Sequence, residues 1–141
     1  LVAITQAAGF VDVTGAVWIG LLVSVFCFFS VSFLKVKLGY DDTLDAFGVH
    51  GVGGMWGAIA TGLFAQKAVN SAGADGFFYG NPELLFIQLK TVGFTVVYTF
   101  IVTFIILKVL DLVMGLRVQQ EDEVMGLDLT QHHERAYTIL E

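Results

Sequence analysis

The sequence is poor in the residues that mark most soluble or catalytic proteins. Only 14% of its 141 residues are charged, against about 25% in an ordinary soluble domain. With one cysteine, Cys27, no internal disulfide can form. That thiol lies in an apolar run, where a small buried hydrophobe is expected. Seven Lys and Arg against thirteen Asp and Glu leave a net charge of -6, which excludes the basic surface that nucleic-acid binding requires. The N-terminal stretch lacks the basic segment of a secretory signal. No nucleophile is paired with a base, no phosphate-binding loop is visible, and the His132-His133 pair is too sparse for a metal site. Neither an enzyme nor a cofactor is expected.

What is present is apolar. The chain is 56% hydrophobic with 13 Phe and a mean hydropathy of +0.78, the signature of an all-α integral membrane protein. Three charge-poor runs, residues 15–34, 46–65 and 84–107, reach the roughly 20 residues that a helix needs to cross a bilayer. Asn81-Pro82-Glu83 reads as the start of the third, with Asn as cap, Pro at the first position and Glu on the positive dipole end. Lys90, near its beginning, can snorkel to the interface. Residues 66–81 form a polar, glycine-rich connection, and residues 1–14 end in a turn around Asp12 and Gly15. The opening Leu1-Val2-Ala3-Ile4-Thr5 reads as the end of an earlier helix, so a fragment is expected.

Two regions follow: a membrane part, 1–114, and a hydrophilic tail, 115–141. From Arg117 onward the tail holds six acids against two arginines. Three spans place the Lys35/Lys37 loop and the tail on one side, with Lys35, Lys37, Lys108, Arg117 and Arg135. The other side holds Lys67, or two basic residues with Lys90. The positive-inside bias makes the tail cytoplasmic.

The stretch Asp41 to Gly57 gathers most of the unusual residues. His50 is the single ionisable side chain between Ala46 and Ala65, a costly placement in a span. If Asp42 opens the helix, His50 lies eight residues on, about 12 Å deep at 1.5 Å per residue. At helical spacing it shares a face with Gly54, Gly57 and Thr61. One reading is structural: glycines let helices approach, and His50 bonds a neighbour to lock them. Another is a pore or relay imidazole that donates and accepts at once. A haem ligand is a third, with no second histidine in the other spans to join it. Asp41, Asp42 and Asp45 can cap the helix, worth about 1 kcal/mol, or form a negative mouth that gathers cations. Thr61 and Ser24 are expected to bond between helices.

Several motifs then agree on one family. Asp-Asp-Thr-Leu-Asp-Ala-Phe-Gly-Val-His-Gly-Val-Gly-Gly (41–54) resembles the tenth-helix motif of the ammonium transporter (Amt/Mep/Rh) family. Gly115-Leu116-Arg117-Val118, then Gly126-Leu127-Asp128-Leu129 and His132-x-Glu134-x-Ala136-Tyr137, is similar to the cytoplasmic tail of the Amt branch. The opening five residues are similar to the end of the family's eighth helix, and Gln6 stands where many relatives have proline, which predicts a looser turn. The resemblance implies helices nine to eleven plus the tail of an eleven-helix homotrimer in the cell (plasma) membrane, multi-pass, with a cytoplasmic C-terminus. His50 matches the second of two pore histidines and Ala46 a pore-lining position. Asp42 and Asp45 match acids at the cytoplasmic pore mouth. Gly115, Leu116, Arg117, Gly126, Leu127, Asp128, His132, Glu134 and Tyr137 match a regulatory tail that packs on a neighbouring subunit where the PII signalling protein docks.

The implied function is ammonium uptake. The ion is recruited by aromatic groups and deprotonated, and neutral ammonia crosses past paired imidazoles. Potassium has no proton to lose. The recruitment aromatics, the gate and the first histidine belong to other helices, so this chain alone cannot form the path. Ammonium or ammonia, membrane lipid, sister subunits and PII are the implied partners. Alternatives are an ammonium sensor signalling through its tail, and an Rh-like gas channel, which the Gly-Leu-Asp-Leu tail disfavours.

Overall fold

A carboxylate begins the first long helix. Asp12 accepts a hydrogen bond from the Gly15 N–H at 2.7 Å, the geometry of an N-cap, so the turn expected around these residues is a helix start. The computed structural model describes residues 1–134, and every regular element among them is helical. A short α1 (Ile4–Ala7) precedes α2 (Val13–Phe29), which continues through a π turn (Ser30–Leu34) into α3 (Lys35–Leu38). Gly39, at φ 64°, closes this helix by donating to the Lys35 carbonyl at 2.8 Å. A second π turn (Phe47–Gly51) leads directly into α4 (Val52–Phe64). A 3₁₀ turn (Phe77–Tyr79), the 33-residue α5 (Pro82–Met114), α6 (Gln120–Met125) and α7 (Leu127–Thr130) complete the order.

Two helices among the described residues, Val13–Leu38 and Pro82–Met114, are long and apolar enough to cross a membrane. Both outrun the charge-poor stretches 15–34 and 84–107, because lysine is a good helix former and charge marks an interface rather than a helix end. The expected middle stretch, 46–65, is helical over Phe47–Phe64. Its six glycines and His50 make it less apolar than its neighbours. Asn81 takes its expected place, its Oδ1 accepting the Glu83 N–H at 3.2 Å ahead of Pro82.

The chain divides into two compact units within α5, at Val97. In the first, Ala3, Ala7, Ile19 and Ala60 form a core, with Ile4, Val11, Val23, Trp56 and Phe64 packed against it. Small side chains dominate because backbones approach closely here. A Cβ on Gly57 would run into the Ala3 carbonyl, and one on Gly62 would lie 2.9 Å from the Leu85 Cα. The Trp56 indole N–H donates to the Ile19 carbonyl at 3.1 Å and stacks at a tilt on Phe26, 4.8 Å between centroids. Gln6, with its amide oriented to donate to the Val2 and Ala3 carbonyls at 2.9 and 3.2 Å, ties α1 back on itself. Ser24 and Thr61 also depart from expectation. Their hydroxyls bond Leu21 and Gly57 carbonyls of their own helices, at 2.7 and 2.8 Å, an outlet open to any Ser or Thr inside a helix.

In the second unit, α5 ends at Gly115, whose φ of 76° favours a residue without a Cβ. The short helices α6 and α7 follow, joined by Gly126 at φ 104°.

Candidate functional site

The helix that carries His50 is anchored at its start by two acids with different partners. Asp42 accepts the Ala46 and Phe47 N–H groups on its two carboxylate oxygens, at 2.8 and 2.9 Å. This satisfies donors that a helix start leaves unpaired. Asp45, in the left-handed region at φ 54°, meets the Lys35 ammonium at 2.6 Å. Lys35 also donates to the Asp42 carbonyl at 2.5 Å. One lysine thus ties the end of the first long helix to the start of the next. The helix opens at Ala46 rather than Asp42, so His50 lies four residues in, about 6 Å at 1.5 Å per residue. Ala46 is exposed, and Phe47 takes the Tyr40 ring edge-on at 5.7 Å.

The π turn decides where His50 points. Gly53, Gly57, Ala60 and Thr61 are buried, the three- to four-residue spacing of one helix face. One α turn before Gly53 falls on Val49 or His50, yet both are exposed. The buried residue is Gly48, five before Gly53. The Val52 N–H bonds to the Phe47 carbonyl, the wide i to i+5 bond of a π turn. One extra residue per turn rotates Gly48 onto the packed face and His50 off it. His50 therefore does not share the packed face of Gly57 and Thr61, and among the described residues it locks no helix contact. Trp56 and the Lys35–Asp45 pair hold the helices instead. Cys27 is half-buried, and its thiol approaches the Val49 carbonyl at 3.7 Å.

In the tail, Arg117 holds Glu123 with a two-pronged grip, Nε to Oε1 at 2.8 Å and Nη2 to Oε2 at 3.0 Å. This bond holds the Glu123 carboxyl below its usual range. Leu127 accepts the Gln131 and His132 N–H groups, at 3.0 and 3.1 Å, and Asp128 accepts that of Glu134 at 2.8 Å. Gly115, Leu116 and Arg117 thus lead into one short knot, and Gly126 through Glu134 form the next. Tyr137 lies outside the described residues. At the start of α2, Asp12 is also held below its ordinary value, first by the Gly15 N–H and then by Gln66.

Sequence reasoning missed Lys35, Trp56 and Glu123 as anchors. Lys35 and Asp45 stand ten residues apart across a loop, outside any helical charge spacing. The Arg117–Glu123 pair, six apart, also falls off the three- and four-residue rule.

A family model described as Ammonium Transporter Family matches residues 1–137. The ammonium transporter of Bacillus subtilis is 56% identical over 137 residues, 97% of this chain and 34% of that protein. Ammonium transporter Amt1 of Archaeoglobus fulgidus is 49% identical over 138 residues, 98% of this chain and 34% of that protein. An ammonium transporter of Aquifex aeolicus is 49% identical over 139 residues, 99% of this chain and 32% of that protein. All three are named as transporters and none as an enzyme. This chain therefore spans about a third of the length of the curated relatives it matches, and on the match over residues 1–137 it belongs to the Ammonium Transporter Family.

Proposed function

We propose that this chain is the C-terminal part of an Amt-branch ammonium transporter, comprising helices nine to eleven of an eleven-helix fold and a cytoplasmic tail. Residues 1–114 belong to the membrane part and 115–141 to the tail. The observation that carries the reading is the setting of His50: it is exposed on a helix whose opposite face is packed against α1 and α2. A titratable ring held out from a tightly tied helix suits a conduction path better than a packing contact.

In this reading His50 and Ala46 line the path, and a second imidazole comes from a helix outside this chain. Ammonium gives up its proton before the apolar pore, since a bare ion there is costly. A neutral imidazole can then donate to ammonia or accept from it. Potassium has no proton to release and is refused. Asp42 and Asp45 sit at the cytoplasmic mouth, but with their charges engaged by backbone N–H groups and by Lys35 they brace the helix rather than attract cations. The exposed apolar faces of α2 and α5 meet lipid, other helices of the same protein or sister subunits of a homotrimer. The tail is cytoplasmic and docks a PII-type partner, and the protein resides in the cell membrane.

The test uses the full-length parent in liposomes, with ammonium and potassium pulses and an internal pH dye. Selective ammonium transport is expected, and His50→Ala should abolish it or make it unselective. Unchanged rate and unchanged ammonium-over-potassium selectivity in that variant would remove His50 from the path.

A further inference from the structure

The π turn at His50 faces a second one. Ser30–Leu34 in the first long helix is also a π turn, closed by the Lys35 N–H on the Ser30 carbonyl, and the two turns pack on each other. They meet at Gly48. A Cβ there would lie 2.6 Å from the Val31 Cγ2 and 3.5 Å from the Ser30 Oγ. Ser30 is only 2% exposed, and its hydroxyl has no hydrogen-bond partner among the described residues. This burial arises within the chain's own helices and needs no further segment to create it.

The two turns have matched effects. In the first helix the wide turn carries Lys35, five residues beyond buried Ser30, to the side where Asp42 and Asp45 lie. In the second it carries Gly48 onto the packed face and His50 off it. Replacing either wide turn by an ordinary α turn would rotate what precedes or follows it by about 100°, the angle per helical residue. The partner turn would then no longer fit.

We propose that Gly48 is a positioning residue: its lack of a Cβ lets the Phe47–Gly51 turn seat against Val31 in its wide form, and this fixes the outward direction of His50. Gly48 acts through His50 and does not itself meet the substrate. The inference rests on the reading of His50 as a path-lining residue only for its effect on transport; its effect on the imidazole stands apart from that reading.

The experiment uses the full-length parent with ¹⁵N-labelled histidine, and reads the His50 imidazole resonance together with transport per folded protein. Gly48→Ala should shift the resonance and cut transport about 10-fold or more, the scale on which small misplacements act at a functional site. Val31→Ala should do little alone and restore both readouts when combined with Gly48→Ala, because it removes the methyl that a Cβ would strike. Gly53→Ala is the control: its Cβ would meet Cys27 and Val23 at an ordinary 3.4 Å, and neither readout should move. If Gly48→Ala does not fold, Val31→Ile enters the joint from the other helix and should shift the same resonance. An unmoved His50 resonance in the variant that folds, or a double variant that stays displaced, overturns the proposal. A His50→Ala protein that transports normally, beside a resonance that still follows Gly48 and Val31, leaves the joint standing and removes the transport reading.

Discussion

The helix carrying His50 and α5 are held by opposite means. α5 is longer and more apolar, yet none of its residues is buried among those described. The His50 helix is rich in glycine and buries Gly48, Gly53, Gly57, Ala60, Thr61 and Gly62. Apolar character suits a helix to lipid but gives it no reason to prefer protein over lipid. Close backbone approach and a few polar anchors do give that reason. Asp42, Trp56 and the glycine contacts supply them for the His50 helix. A side chain that must be aimed is thus carried by the better-anchored helix.

The sharpest way to break this contrast is to fill a glycine contact. Gly57→Leu places a side chain where the Ala3 carbonyl stands, and should destabilise by about 3 kcal/mol or more, the upper range for overpacking. Unfolding of detergent-solubilised protein would measure it, and a loss below 1 kcal/mol would mean that α1 yields easily. Removing the cap is next. Asp42→Ala should cost about 0.5–2 kcal/mol, with Asp42→Asn recovering part of it, since an amide oxygen also accepts. The same kind of change in α5 should reverse sign. A Cβ on Gly93 would meet nothing within 4 Å among the described residues, so Gly93→Ala should be neutral or stabilise this chain by up to about 1 kcal/mol through helix propensity. The smallest effect concerns pH. Asp12 has a lowered folded value, so its contribution is complete above the ordinary carboxylate value. It fades as pH falls through the lowered one. Asp12→Asn should flatten that acid limb of the stability profile, and an unaltered limb would detach Asp12 from it.

Much of this was legible in the sequence. Charge-poor runs located the two long apolar helices, because a helix in lipid tolerates few charges along its crossing. Asn81-Pro82-Glu83 marked its helix start, since capping is local chemistry. The direction of His50 was not legible. Counting at 3.6 residues per turn places it with Gly57 and Thr61, and only the i to i+5 bond at Phe47 undoes that count. A π turn leaves no periodic mark when glycine and small apolar residues occupy both faces. The start of the His50 helix was read too early for a related reason. Asp42 does cap the helix, but through two N–H groups reached across a loop, so the cap stands four residues ahead of the first helical residue. Lys35 was hidden because its partners, Asp42 and Asp45, come from chain beyond a helix end.

The central claim is that a π turn directs His50 away from the packed face of its helix. The most direct measurement is a high-resolution cryo-electron microscopy map of the full-length parent, read at residues 46–57. The account predicts the Val52 N–H on the Phe47 carbonyl, Gly48 seated against Val31, and the imidazole projecting from the opposite side. An unbroken α-helix, with His50 on the same face as Gly53 and Gly57, would contradict it.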